Sequence, residues 1–101
     1  MRKIKISDDA YFDIEEMFAY ISEDNKKAAR ELRKKIYGGI KGLRDFPYKY
    51  PVVQEEDTPG AERGYRYMTI NPYIVFYRVL DDSIVVARVL HSKQNWLRFL
   101  L

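Results

Sequence analysis

The chain has 101 residues, 47% of them hydrophobic and 15% aromatic, which is enough for one small globular core and too few for a separate cofactor domain. It contains no cysteine and one histidine, so disulfides and thiolate metal sites are excluded and a zinc site is not expected. The 18 basic and 15 acidic residues give a net charge of +3, which permits an anionic partner without requiring one.

These properties predict a single domain over residues 1–101 that uses no metal and no cofactor. The first residues alternate charged side chains with isoleucine, so they lack the apolar region of a secretory signal, and no apolar run approaches a membrane span. Together with the missing cysteines, this predicts a protein of the reducing cytoplasm that has no membrane partner.

The N-terminal half predicts a strand followed by two helices. Residues 2–6 alternate as a strand does, and Ser7, followed by two aspartates, provides an N-cap and a favourable first helical turn. Apolar residues then recur at helical spacing up to Ile21 and, after a polar break at residues 22–25, up to about Arg44. Helices joined this closely must lie antiparallel. Close packing or fraying is the expected reason for three glycines late in the second helix: Gly38, Gly39 and Gly42.

The C-terminal half predicts a long connection and then strands. Residues 48–64 contain prolines, glycines and an acidic run, which are typical of an irregular segment. Residues 65–70 alternate as a strand, and residues 73–91 form two strand-like arms around an Asp-Asp-Ser turn. A short final helix is expected from about Lys93.

The resulting order, β-α-α-β-β-β-α, predicts an α+β fold. Two helices are expected on one face of a twisted antiparallel sheet, with the opposite face partly open as the candidate binding surface.

Two arginines interrupt the strand pattern of residues 73–91, where a core strand favours apolar side chains: Arg78 and Arg88. A buried arginine must be paired, so we expect Arg88 to pair with an acidic residue of the first helix or of the long connection. Arg78 precedes the turn, and we expect it to pair with Asp81 or Asp82.

Three other residues are candidates for function, and each also has a structural interpretation. His91 is suited to proton transfer near neutral pH, or it is a structural histidine at a strand end. Arg66, between two tyrosines, contacts phosphate or a partner, or it is a solvated edge charge. Trp96 closes the core, or it offers a surface for stacking or for an interface.

Nearly the whole chain resembles the RelE/ParE superfamily of toxins from bacterial and archaeal type II toxin-antitoxin modules. The likeness to the family's helical hairpin is carried by S-D-D-A-Y-F-D-I-E-E-M-F-A-Y-I-S-E-D-N-K-K-A-A through I-K-G-L-R-D-F-P-Y-K-Y-P. The central strands are similar to Y-R-Y and to Y-I-V-F-Y-R-V-L-D-D-S-I-V-V-A-R-V-L-H. The resemblance implies a growth-inhibiting toxin of RelE/ParE-like fold that is neutralised by a cognate antitoxin.

The superfamily contains gyrase poisons and ribosome-dependent mRNA endonucleases, and the fold does not distinguish them. Ile74 and Gln94 stand where RelE-like ribonucleases usually carry arginines, while the R-V-L-H ending resembles ParE-like or plasmid-stabilisation toxins. The resemblance therefore favours an action on DNA gyrase. The alternatives are an endonuclease acting on ribosome-bound mRNA and a non-enzymatic interaction module of the same fold.

For the nuclease alternative, His91 and Arg66 are the predicted catalytic residues, with Glu55 or Glu56 as a further acid-base group. The residues predicted to bind a partner or phosphate are Arg63, Arg66, Arg88, Lys93 and Trp96.

Overall fold

The computed structural model describes residues 2–54, 64–95 and 97–100. The elements in chain order are β1 (Lys3–Ile6), α1 (Asp8–Ser22), α2 (Lys26–Gly42), β2 (Arg66–Ile70), β3 (Tyr73–Val79), β4 (Ser83–His91) and α3 (Leu97–Leu100). This confirms the α+β class and the order β-α-α-β-β-β.

Both long helices begin at side-chain caps. The Ser7 hydroxyl accepts a hydrogen bond from the Ala10 backbone N–H at 3.0 Å, as the sequence predicted. The Asn25 amide oxygen does the same for the Ala28 N–H at 3.0 Å. The polar break between the helices therefore ends in the residue that caps α2.

The sheet has the strand order β1-β4-β3-β2. Strands β2, β3 and β4 form the predicted antiparallel meander, but β1 pairs in parallel with β4, from Lys3 opposite Ser83 to Ile6 opposite Val86. The prediction of a fully antiparallel sheet was wrong, because the helical hairpin acts as a crossover that returns the chain to the sheet in the same direction. The sheet is mixed.

The main core lies between the helices and one face of the sheet, as predicted. Its buried members are Ala10, Ile14, Met17, Ile36, Ile40, Leu43, Met68, Val75, Tyr77, Ile84, Val86 and Val89. The opposite face, which was expected to be partly open, carries a second, smaller cluster. Its buried members are Val53, Phe76, Leu90 and Leu100.

A β-bulge changes which side chains of β4 face the helices. Phe76 lies opposite Arg88 and Tyr77 lies opposite Val86, so Ala87 is an extra residue on β4. Val86 and Val89 consequently both reach the main core, although strict alternation would place them on opposite faces.

The C-terminus departs from the predicted final helix. Residues 92–95 are not helical, and helical geometry is limited to the four residues Leu97–Leu100. None of the described helices is both long enough and apolar enough to cross a bilayer.

The glycines of α2 differ in their surroundings. A Cβ atom on Gly39 would lie 2.8 Å from Ile70 Cδ1 and 3.1 Å from Met68 Cε, so this glycine allows α2 to pack on β2. Gly38 and Gly42 have open space around them, so the close-packing explanation holds for Gly39 and not for its neighbours.

Gly38→Ala is expected to raise the free energy of unfolding by about 0.5 to 1 kcal/mol, because alanine favours the helix and meets no neighbour at this position. Gly39→Ala should raise the free energy of unfolding by less, because the side-chain ends of Ile70 and Met68 must shift to make room for the new Cβ atom. Urea unfolding of both variants measures the difference. Equal gains would show that Gly39 is not needed for close packing.

Candidate functional site

A groove lies between α1 and the adjoining ends of β3 and β4, with a cavity volume of about 370 Å³. We call it the α1 groove, and it is lined by Asp13, Glu16, Met17, Tyr20, Tyr73, Val89, His91 and Gln94. Of the predicted site residues that the structure describes, His91 is the one in its lining.

Asp13 holds α1 against the part of β4 that extends beyond β1. Its Oδ2 accepts hydrogen bonds from the Val89 backbone N–H at 2.9 Å and from Arg88 Nε at 2.8 Å. Its Oδ1 accepts a third from Arg88 Nη2 at 2.7 Å. Since β1 pairs with β4 only as far as Val86, this carboxylate satisfies a strand N–H that has no β1 partner.

Arg88 is a structural cation, as the sequence predicted. Its ion pair with Asp13 is bidentate and largely shielded, with side-chain exposures of 20% for Arg88 and 11% for Asp13. The hydrogen bonds that Arg88 donates to Asp13 raise the pKa of the guanidinium, and the Phe99 ring lies 4.6 Å from its central carbon. Arg88 therefore already has an anionic partner, which opposes its predicted role as a free phosphate-binding cation.

His91 is fixed by the turn that follows β4. The backbone N–H of His91 donates to Gln94 Oε1 at 2.7 Å, and the Lys93 N–H donates to His91 Nδ1 at 3.1 Å. The imidazole also packs edge-on against Tyr73, with 5.2 Å between ring centres. Because Nδ1 accepts a hydrogen bond, this network assigns the proton of the neutral ring to Nε2. Neutral His91 is thus a hydrogen-bond donor at Nε2, and its basic nitrogen is occupied.

Arg66 lies at the other end of the sheet from His91. Arg66 is opposite Tyr77, whereas His91 is opposite Tyr73, whose own β2 partner is Ile70. Four strand residues, or roughly 13 Å along the sheet, therefore separate the two levels. The structure does not bring the predicted catalytic pair together.

The Arg66 guanidinium is held by the segment that follows α2. Its Nη1 donates to the Tyr50 backbone oxygen at 2.7 Å, and its central carbon lies 5.0 Å from the centre of the Tyr48 ring. Arg66 thus helps to fix this connection against the start of β2.

The predicted pairing of Arg78 with Asp81 or Asp82 is not found in the described part of the chain. Its guanidinium lies 5.8 Å from the centre of the Tyr65 ring, and its Nε is buried without a hydrogen-bond partner among the described residues. Lys93 is exposed in the turn after β4, where it contributes its backbone N–H to His91. Its proposed contact with a partner stays a prediction.

The remaining predicted site residues lie outside the described residues: Glu55, Glu56, Arg63 and Trp96. Their predicted roles stay predictions.

Sequence reasoning missed the α1 side of the groove. Phe12, Glu16 and Tyr20 recur at intervals of four, away from the apolar stripe that enters the core. Phe12 is 69% exposed and Tyr20 is 72% exposed. Large aromatic residues repeated on the solvent face of a helix were the signal that could have revealed this surface.

Burial raises the pKa of the Tyr73 phenol, with a smaller contribution from nearby Tyr20. The groove therefore presents a protonated phenol at neutral pH. In chemical terms it combines hydrogen-bond donors, carboxylates and aromatic surface, and among the described residues no three potential metal ligands meet.

Comparison with known proteins identifies a family and similar solved structures. Residues 4–96 match the family described as "ParE toxin of type II toxin-antitoxin system, parDE". The fold is similar to a solved chain described as "Chromosomal ParDE TA system from P. aeruginosa", with a TM-score of 0.70. The two chains are 19% identical, and the match covers 90% of this chain and 96% of that one. No curated protein matches.

Proposed function

Because the chain belongs to the family of ParE toxins of parDE type II toxin-antitoxin systems, we propose that it arrests growth by acting on DNA gyrase and is neutralised by a cognate antitoxin. The observation that carries this proposal is the family match over residues 4–96, which spans nearly the whole domain. The likeness to a solved ParDE chain supports the same fold.

The arrangement of the candidate residues favours a gyrase poison over an mRNA endonuclease. Phosphodiester cleavage needs a base, an acid and a cation around one phosphate. Here His91 and Arg66 lie at different ends of the sheet, and Arg88 is already paired with Asp13. Ile74, where the RelE-like branch usually has an arginine, packs against the second core cluster.

The α1 groove and its aromatic rim are the surface that we assign to the antitoxin. Tyr20 lines the groove, and both Tyr20 and Phe12, which is eight residues earlier on the same face of α1, expose large rings that an apolar segment of a partner can cover. An antitoxin segment that orders on binding would bury this surface and fill the cavity.

Purified protein is expected to inhibit the supercoiling of relaxed plasmid by DNA gyrase, and the co-encoded antitoxin should restore it. Relaxation of plasmid by a type I topoisomerase is the control and should not change. Growth arrest on expression without any inhibition of gyrase would contradict the proposed target.

Primer extension on translated messages distinguishes an mRNA endonuclease from a gyrase poison. New cleavage sites that disappear in His91→Ala or Arg66→Ala would assign the chain to that branch. A chain that leaves growth unaffected and is inactive in both assays would be an interaction module of the same fold.

A further inference from the structure

The two long helices carry opposite charge. Helix α1 contains aspartates and glutamates and no lysine or arginine. Helix α2 is the reverse, with lysines and arginines along its whole length and Glu31 as its one acidic residue. The modest net charge of +3 therefore conceals a strongly basic surface on one side of the hairpin.

Four of the cations of α2 form a row along one face of the helix. Lys26, Arg30, Lys34 and Lys41 follow one another at intervals of four, four and seven residues, which places them in a row along the helix. The row is about 22 Å long at 1.5 Å per residue. Two further cations flank it, and all of these residues are exposed. We call this set the basic stripe: Lys26, Lys27, Arg30, Lys34, Lys41 and Arg44.

This arrangement opposes the stability of the helix that carries it. Lys26 and Lys27 stand in the first turn, where the helix dipole favours acidic residues, and no acidic residue is present there. Like charges at intervals of three and four also repel along the row. The α2 residue with a salt bridge within the described chain is Arg33, which pairs with Glu15 and is not part of the stripe.

The positive surface continues beyond α2. Arg44 borders an open cavity of about 450 Å³ that is also lined by Arg2, Lys3 and Ile4, and none of its described lining residues is acidic. Arg2 is held there by hydrogen bonds to the Leu80 backbone oxygen at 2.8 Å and to the Tyr48 hydroxyl at 3.1 Å. The stripe therefore extends to the outer edge of β1.

The composition of the stripe indicates the kind of partner. No large apolar side chain of α2 is exposed, whereas the exposed aromatic residues of the hairpin belong to α1. A protein interface usually has an apolar centre, but contact with a phosphate backbone needs only cations and close approach. Gly38 supplies that approach, since it follows the stripe residue Lys34 by four positions and lies exposed with open space around it.

We propose that the basic stripe binds the backbone phosphates of double-stranded nucleic acid. The contact is electrostatic and independent of base sequence, because the stripe presents a row of point charges and no group positioned to read a base edge. It extends beyond the proposed function, since it requires neither gyrase nor an antitoxin.

The test is fluorescence anisotropy of a labelled duplex of about 20 base pairs with the full chain, beginning at about 50 mM salt. We expect a dissociation constant on the order of 10 μM near physiological salt, with affinity falling steeply as salt rises. The triple variant Arg30→Gln, Lys34→Gln, Lys41→Gln should bind at least about tenfold more weakly and lower the salt slope by about 3.

A neighbouring residue provides the matched control. Lys34 and Lys35 are both exposed on α2, but Lys35 faces away from the stripe. Lys34→Gln should lower the salt slope by about 1, and Lys35→Gln should leave it unchanged. Circular dichroism establishes that each variant is folded. Equal losses in the two variants would show a response to net charge alone and would overturn the proposal.

Two further arms identify the ligand. A duplex RNA of the same sequence distinguishes DNA from RNA as the ligand. Equal binding supports a general contact with the phosphate backbone, and tighter binding of one duplex identifies that nucleic acid as the preferred ligand. Polyglutamate of matched charge represents an acidic protein. The proposal fails if polyglutamate binds through the stripe as tightly as the duplexes, or if the native chain binds neither duplex at low salt.

Discussion

Asp13→Asn is expected to lower the free energy of unfolding by about 3 kcal/mol, because the change leaves a partly buried arginine without its counterion. The carboxylate accepts three hydrogen bonds, two from Arg88 and one from the Val89 backbone. An asparagine keeps one acceptor oxygen and turns an amide group toward the arginine donors. Urea unfolding followed by circular dichroism measures the loss.

The chain contains its own control pair. Arg33 and Glu15 are joined at 3.1 Å, with side-chain exposures of 32% and 36%, so Glu15→Gln should cost less than about 1 kcal/mol. Adding Arg88→Met to Asp13→Asn should recover part of the loss, since no unpaired charge then remains. A loss at Asp13 no larger than that at Glu15 would contradict the structural role of the Asp13–Arg88 pair.

Tyr77→Ala is expected to cost about 4 kcal/mol, because the ring is fully buried in the main core. The Tyr77 hydroxyl also donates to the Pro47 backbone oxygen at 2.9 Å, which ties the segment after α2 to the sheet. Tyr77→Phe keeps the ring and should cost about 1 kcal/mol for the lost hydrogen bond. Tyr20→Ala is the exposed control and should change stability by less than about 0.5 kcal/mol.

The same tyrosine gives the expected pH dependence. Burial raises the pKa of the Tyr77 phenol above its ordinary value of 10.0. The folded chain therefore holds this proton more tightly than the unfolded chain, so the stabilisation is complete below pH 10.0 and is lost as the pH rises through the folded pKa. In urea unfolding above pH 10.0, the difference in free energy of unfolding between the native chain and Tyr77→Phe should be smaller than at neutral pH. A constant difference would contradict the raised pKa.

Local signals predicted much of this fold. The Ser7 cap, the apolar stripes of both helices and the Asp-Asp-Ser turn are properties of short segments, and each appears as expected. The pairing of Arg88 was also predictable, because a cation within a buried strand requires an anion and α1 is acidic.

The features that sequence reasoning missed depend on distant parts of the chain. Parallel pairing of β1 with β4 joins the two ends of the domain, and no local pattern specifies it. The bulge at Ala87 changes which side chains of β4 face the helices, whereas the sequence pattern of this segment predicts a regular strand. Residues 92–95 contain polar residues suited to a helix cap, but Lys93 and Gln94 bond to His91 instead.

The candidate site shows the same limit. His91 was singled out as a titratable group, but its distance from Arg66 depends on strand register, which the sequence did not give. The groove forms only because α1 packs beside β4, so the sequence alone could not identify Glu16 and Tyr20 as groove residues.

The carboxylate of Asp13 also has a consequence for self-association. Beyond Val86 the edge of β4 is left unpaired by β1, and such an edge is a template on which a strand of a second molecule can add. Asp13 occupies the Val89 N–H and places a charged helix along this edge. Loss of the Asp13 side chain would therefore expose this strand edge and promote aggregation, in addition to lowering the stability of the fold.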